Sequence, residues 1–268
     1  MSAVVTERMR DGIGVIRLTR PDRLNAINQD VIEGLHAAVD EFEAAAAIRV
    51  VVLTGAGKGF CAGLDLEAGH FAMPGTEQMS EVARQLTLQV AIVSILEKIH
   101  GSVKPYIAAV NGVAVGGGLA LALACDIRIA DTTAKFGSVF IKVGASNTDL
   151  GISYLLPRII GAGRSAELLL TGRIIAAEEA ERIGLVSRVV GVDDLVATSH
   201  EVAGAVASGG AFQLWMTKET MWQNLDAPSL HHATLTENRT QIMASMAGDV
   251  DEAIAAFREG RRPSWRAM

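Results

Sequence analysis

Cysteine is nearly absent from this chain of 268 residues: Cys61 and Cys125 are the only two, and both lie in apolar stretches rich in Gly and Ala. No CxxC or Cys/His ligand spacing accompanies them, which reads against a zinc site. The pair can form one disulfide or stand as two buried thiols, and the apolar surroundings favour the thiols. Proline is also scarce, at 6 against 27 glycines, which suits a tightly turned globular protein rather than a disordered one. An excess of positive charge is missing too. The net charge is −6, with acidic and basic residues mixed, and the basic stripe of a nucleic-acid binder does not occur. An anionic ligand would therefore be met by a few local cations. Nor is there an apolar run of membrane length. The longest, 107–125, is interrupted by Asn111, Gly112 and the triplet Gly116-Gly117-Gly118. Residues 1–11 carry Glu7 and Asp11 without an apolar stretch, which speaks against a signal or transit segment. The resulting expectation is a cytoplasmic, enzyme-like protein with neither nucleic acid nor membrane as partner.

What is present is hydrophobic sequence, half of all residues, enough for one sizeable core with a smaller lobe. Ile13, Val15, Ile16 and Leu18 mark a strand, which Arg20-Pro21-Asp22 ends. From Asn28 the spacing of Ile32, Leu35, Val39, Phe42 and Ala46 becomes helical, with Asn28 or Asp30 near the start. The β-branched run 50–53 reads as a strand buried on both faces. Strand patterns recur at 106–110, 127–130 and 185–190, and helical ones at 116–124 and 177–183. From Asp193 onward helical patterns dominate, including 229–246 and 249–259 with a break at Gly248. These patterns divide the chain into an α/β core over 1–192 and a helical region over 193–268. Residues 66–90, with Gly69, Pro74 and Gly75, read as an irregular loop, either a lid over a pocket or a plain surface excursion.

Two glycine-rich turns follow buried strands. Residues 55–59 (GAGKG) have a Lys but no Ser or Thr after it, and residues 111–118 (NGVAVGGG) lack the GxGxxG spacing, so neither is a phosphate loop of the usual kind. Both nevertheless expose backbone donors. One turn runs through Ala62 and Gly63. The other, Gly116-Gly117-Gly118, opens a helix whose first N–H groups are unbonded and lie at the positive end of its dipole. If the fold brings them together, the Ala62 and Gly117 amides can converge on one oxygen. The enolate of a thioester fits such a site, and each donor would stabilise it by about 3–4 kcal/mol. Two tight turns in a glycine-rich core would give the same local sequence.

Residues 20–26 (RPDRLNA), 59–66 (GFCAGLDL), 109–118 (AVNGVAVGGG) and 125–130 (CDIRIA) together resemble the crotonase superfamily, the enoyl-CoA hydratase/isomerase family. So do 156–158 (LPR), 167–172 (ELLLTG), 177–180 (AEEA), and Ala256-Phe257 with Arg261-Arg262-Pro263. The likeness covers nearly the whole chain in the family's order. It implies an α/β fold, a spiral of repeated ββα units, with a C-terminal helical trimerisation region and assembly as a homotrimer or dimer of trimers. It implies an acyl-CoA or enoyl-CoA substrate and no cofactor, since CoA enters as part of that substrate. By the resemblance, Ala62 and Gly117 form the oxyanion hole beside Gly116. The stretch Ala62, Gly63, Leu64, Asp65 and Leu66 holds the adenine end of CoA. Arg23, Leu24 and Ala26 line the CoA channel, with Arg23 a phosphate contact, and Phe257 closes a neighbouring subunit's pocket. The family's basic C-terminal stretch here reads Gly260-Arg261-Arg262-Pro263, one cation short.

The departures carry as much information. Hydratases of this family hold water between two glutamates, at positions occupied here by Ala120 and Phe140, neither of which moves a proton. Phe140 also makes the acyl pocket more apolar. Isomerases and dehalogenases of the family use a carboxylate five residues before an aromatic, which here is Asp149 before Tyr154. One carboxylate suffices for double-bond migration, removing a proton from C2 or C4 and returning it to the other carbon. The alternative for Asp149 is a helix N-cap. Glu67, Glu77, Glu81 and His70 lie in the suspected lid and read as inert solvated groups, with a substitute acid among them as the alternative. Asp65 reads as a residue that caps or orients its turn and Asp126 as a helix-end or strand-start anchor. His231 and His232 read as surface or interface residues, and Trp215 and Trp222 as packing. The expected reaction is isomerisation with Asp149 as the acid/base. Its rivals are hydration with another acid and acyl-CoA binding without catalysis.

Overall fold

The computed structural model describes residues 2–67, 73 and 75–266. A hairpin opens the fold, β1 (Val4–Arg8) pairing antiparallel with β2 (Ile13–Leu18). Helix α1 (Gln29–Ala44) follows, its first turn capped by Asn28, whose side chain accepts the Val31 N–H. Three turns of chain then repeat one plan: a longer strand, a short strand, a helix. They are β3 (Val50–Gly55), β4 (Gly59–Cys61) and α2 (Glu81–Gly101); β5 (Tyr106–Val110), β6 (Val113–Val115) and α3 (Gly117–Ala124); and β7 (Ile127–Asp131), β8 (Lys135–Gly137) and α4 (Ile152–Ile160). The β2–α1 segment is a reduced version of the same unit, because Ile27 makes a parallel bridge to Leu64 where a short strand would lie. After α5 (Ala162–Thr171) come β9 (Ile175–Ala176), α6 (Ala177–Arg182) and β10 (Arg188–Val190).

Among the described residues the longer strands form a six-stranded sheet in the order β1-β2-β3-β5-β7-β10, parallel after the hairpin. The short strands form a four-stranded sheet, β4-β6-β8-β9. This is the repeated ββα spiral that the sequence motifs imply. Side-chain alternation sorts the apolar residues of the larger sheet onto two faces. Ile16, Leu18, Val51 and Leu53 join the main core with α1 to α6, while Ile13, Val15, Val50 and Val52 pack under α7 (Leu195–Ala207). Both cysteines are buried free thiols, as expected, and burial pushes each up to about 12. Helices α8 (Ala211–Asn224), α9 (Leu230–Met246) and α10 (Asp249–Glu259) complete the chain. No helix among the described residues is long and apolar enough to cross a membrane.

Two local expectations change. The irregular stretch 66–90 ends early, because α2 begins at Glu81, with the Ser80 hydroxyl accepting the Ala83 N–H. The strand expected over 185–190 shrinks to three residues, since Gly184 turns at φ 80° and Leu185 and Val186 plug the core instead.

Candidate active site

Glycine determines how closely the two exposed turns approach. A Cβ on Gly118 would stand 1.9 Å from Cys61 O, so only glycine lets α3 begin directly against β4. Gly63 has φ 85°, and a Cβ there would lie 2.9 Å from Val115 O and 3.2 Å from the Gly117 amide nitrogen. The 62–65 turn and the start of α3 are therefore in direct contact, the condition that the sequence left open.

The donors at that contact are not the expected pair. The Ala62 N–H donates to Leu24 O at 3.0 Å and is already used. Ile27 N–H donates to Gly63 O at 2.7 Å, and Asp65 N–H to Ile27 O at 2.9 Å. In a parallel pairing the residue between those two contacts turns its own N–H to the opposite side, here the side where β6 runs into α3. That residue is Leu64, and its N–H finds no acceptor among the described residues. Gly117 N–H, in the first turn of α3, likewise has none. The expectation of Ala62 as an oxyanion donor is corrected: the left-handed turn at Gly63 aims Ala62 back at Leu24 and leaves Leu64 beside Gly117.

Around this contact stand Phe140, whose ring lies 3.5 Å from where a Gly116 Cβ would be, and Ile27 and Leu150, whose Cδ1 atoms lie 2.8 and 3.5 Å from a Gly117 Cβ position. Ala120, one turn into α3, is fully buried. Asp149 immediately precedes Leu150. Its Oδ1 accepts the Leu150 N–H at 2.7 Å and the Gln89 side-chain amide from α2. It does not cap α4, which begins after Gly151 with no side-chain cap bond. Gln89 went unrecognised in the sequence because a lone amide on a helix has no motif around it. Only the packing of α2 against the 147–150 turn brings it to Asp149.

The match of the family model for enoyl-CoA hydratase/isomerase spans residues 8–268. The chain belongs to the enoyl-CoA hydratase/isomerase family. A probable enoyl-CoA hydratase of Mycobacterium bovis is 40% identical over 267 residues, covering 98% of this chain and 92% of the relative. The crystal structure of a probable enoyl-CoA hydratase/isomerase from Mycobacterium abscessus superposes with a TM-score of 0.90 at 36% identity, covering 99% of both chains. A monofunctional enoyl CoA isomerase from M. smegmatis is 38% identical with a TM-score of 0.73, covering 87% of this chain and 99% of that one.

Within this enoyl-CoA hydratase/isomerase chain the other expected residues fall as follows. Leu24, Ala26 and Leu66 lie along the segments flanking the 62–65 turn, Ala26 buried and Leu66 exposed. Arg23 is half exposed and pairs with Glu67, which holds its guanidinium above the usual range. Asp65 is buried, binding Arg20 at 2.8 Å and accepting the Glu67 N–H, the turn-orienting role expected of it. The lid carboxylates have local partners: Glu67 holds Arg23, Glu77 accepts the Gly75 N–H, and Glu81 pairs with Arg84 and Gln85. His70, Gly69 and Pro74 lie outside the described residues. Phe257 is 88% exposed on α10. Arg261 is bonded to Glu252 and Glu259, and its guanidinium with the Ser264 N–H brings Glu252 down to about 2. Asp126 anchors the start of β7 through Tyr106 N–H at 2.8 Å and also receives Trp222 Nε1 and Lys218. His231 and His232 are exposed on α9.

Proposed function

We propose that this family member is an enoyl-CoA isomerase, shifting a double bond by proton transfer through Asp149 while backbone amides hold the enolate oxygen. The observation that carries the reading is the free Gly117 amide, with the Leu64 amide beside it, at the point where Leu150 and hence Asp149 pack. An enolate oxygen between two N–H groups of a water-poor site gains far more than the ground-state carbonyl, because the negative charge develops there. Asp149 takes the proton from C2 of a 3-enoyl thioester, the dienolate charge rests on the thioester oxygen, and the same carboxyl returns the proton at C4, which leaves the conjugated 2-enoyl thioester. Ala120 and Phe140 at the two glutamate positions support one-carboxylate chemistry. The acyl-CoA would thread past Arg23 and Leu24, whose ion pair with Glu67 would have to open for Arg23 to meet a phosphate. The reading needs no cofactor beyond the CoA of the substrate.

A second reading, hydration of 2-enoyl-CoA, is favoured by one observation, the hydratase names of relatives such as that of M. bovis. The test is a spectroscopic screen of 2-enoyl-CoA and 3-enoyl-CoA esters of several lengths with wild type and Asp149→Ala. The isomerase reading expects the 3-enoyl esters to be conjugated and Asp149→Ala to lose at least about a hundredfold in kcat with ester binding retained. Rapid hydration of 2-enoyl esters, undiminished in Asp149→Ala, would replace it with the second.

We also propose that the apolar surfaces of α9 and α10 meet other copies of the chain in a trimer or dimer of trimers, bringing Phe257 to a neighbouring subunit's site.

A further inference from the structure

Asp149 ends a short series of contacts that begins on α2. Gln89 donates its Nε2–H to Asp149 Oδ1, and the same oxygen accepts the Leu150 N–H at 2.7 Å. No described residue donates to Oδ2. A carboxylate bonded twice through one oxygen cannot rotate about its Cβ–Cγ bond without losing both contacts, so Oδ2 is held in one direction as the open, proton-accepting oxygen. Leu150 tightens the arrangement. It sits at φ 52°, in the left-handed region that a branched side chain rarely occupies, and its Cδ1 packs 3.5 Å from a Gly117 Cβ position. One strained residue thus touches both Asp149 and the start of α3.

We infer that Gln89 is a positioning residue for proton transfer, fixing Asp149 so that Oδ2 alone carries the proton. The inference rests on the reading of Asp149 as the acid/base and extends it. A neutral amide suits the task. When Oδ2 takes a proton from the substrate, Oδ1 becomes the carbonyl oxygen of the acid and still accepts from Gln89 and Leu150. Both hydrogen bonds persist through the proton cycle and nothing reorganises at the moment of transfer. A lysine or arginine at 89 would hold the carboxylate in its charged form too firmly to be protonated. A glutamate would repel it.

The test compares full-length wild type, Gln89→Met, Gln89→Glu and Asp149→Asn on a 3-enoyl-CoA ester, following formation of the conjugated thioester. Gln89→Met keeps the side-chain length and removes the donor. Its kcat should fall at least about tenfold with KM within about twofold, because transfer and not binding is impaired. Gln89→Glu should lower kcat further, because its carboxylate repels Asp149. Asp149→Asn should be inactive. If Asp149→Asn is inactive while Gln89→Met or Gln89→Glu keeps wild-type kcat, Gln89 does not position the carboxylate. If kcat, KM and melting temperature all shift together in both Gln89 variants, the residue only props α2, and the inference is overturned. Activity retained by Asp149→Asn would instead remove the reading on which it stands.

Discussion

At the scale of single residues, the site depends on where backbone amides point, and Gly63 decides that. Its left-handed conformation directs Ala62 N–H to Leu24 O and leaves Leu64 N–H facing the start of α3. A methyl group there would press on Val115 O and the Gly117 nitrogen, both backbone and unable to yield cheaply. Gly63→Ala is therefore expected to lower kcat by on the order of a hundredfold, the loss typical of one displaced oxyanion donor. It should also lower the melting temperature. Steady-state kinetics with a thermal melt checks both, and a variant as active as wild type would mean that the 62–65 turn does not build the site. The sequence marked the two glycine-rich turns but neither their contact nor its donors. Glycines at 63, 116, 117 and 118 announce close backbone approach, whereas the acceptor that each N–H finds is settled by pairing with a segment some forty residues earlier.

At the scale of elements, α8 is fastened to the spiral by a buried polar cluster. Lys218 Nζ lies 3.0 Å from Asp126 Oδ2 and donates to Ile99 O and Lys104 O, while Trp222 Nε1 bonds the other Asp126 oxygen at 2.8 Å. Lys218→Met should cost about 3–5 kcal/mol, because it strands the Asp126 charge in the interior. Urea unfolding measures this, and Asp126→Asn combined with Lys218→Met should recover part of the loss. His100 packs edge-on against Trp222 at 4.6 Å, and burial first, then the Lys218 charge, lowers its proton affinity. Below about pH 6.5, where an unfolded histidine protonates, the unfolded chain binds the proton first and stability declines with falling pH. His100→Gln should flatten that decline below about pH 6.5, and an unchanged slope would assign it to other groups. Asp126 was recognisable as an anchor, since an acid between a helix and a β-branched run commonly ends one or starts the other. Lys218 was not, being one cation on a helix of mixed character. The start of α2 was hidden for a similar reason: Glu81, Arg84 and Gln85 occupy its first turn, and its apolar face emerges only where α1 and α3 pack against it.

At the scale of the whole molecule, α9 buries no residue in the single chain, and Leu230, Ile242, Met243 and Met246 stand exposed along it. On α10, Val250, Ile254 and Phe257 continue the apolar surface. Scattered exposed apolar residues are ordinary, but two successive helices carrying them mark a contact surface. Light scattering should give a mass that is a multiple of three times the 28.2 kDa chain. Ile242→Glu with Met246→Glu should dissociate it, and a wild-type monomer at micromolar concentration would overturn the trimer proposal.

By itself the sequence determined the α/β alternation, the family and the presence of two glycine-rich turns, because these follow from local periodicity and from residues whose backbone needs are their own. It also marked the missing glutamates at Ala120 and Phe140 and the carboxylate at Asp149. Tertiary structure alone decided that Leu64 and not Ala62 keeps a free amide, that Gln89 reaches Asp149, and that Lys218 lies beside Asp126. Each of these depends on the partner that a hydrogen-bonding group meets across tens of residues, and such partners are chosen by the packing of the spiral rather than by the neighbours in the chain.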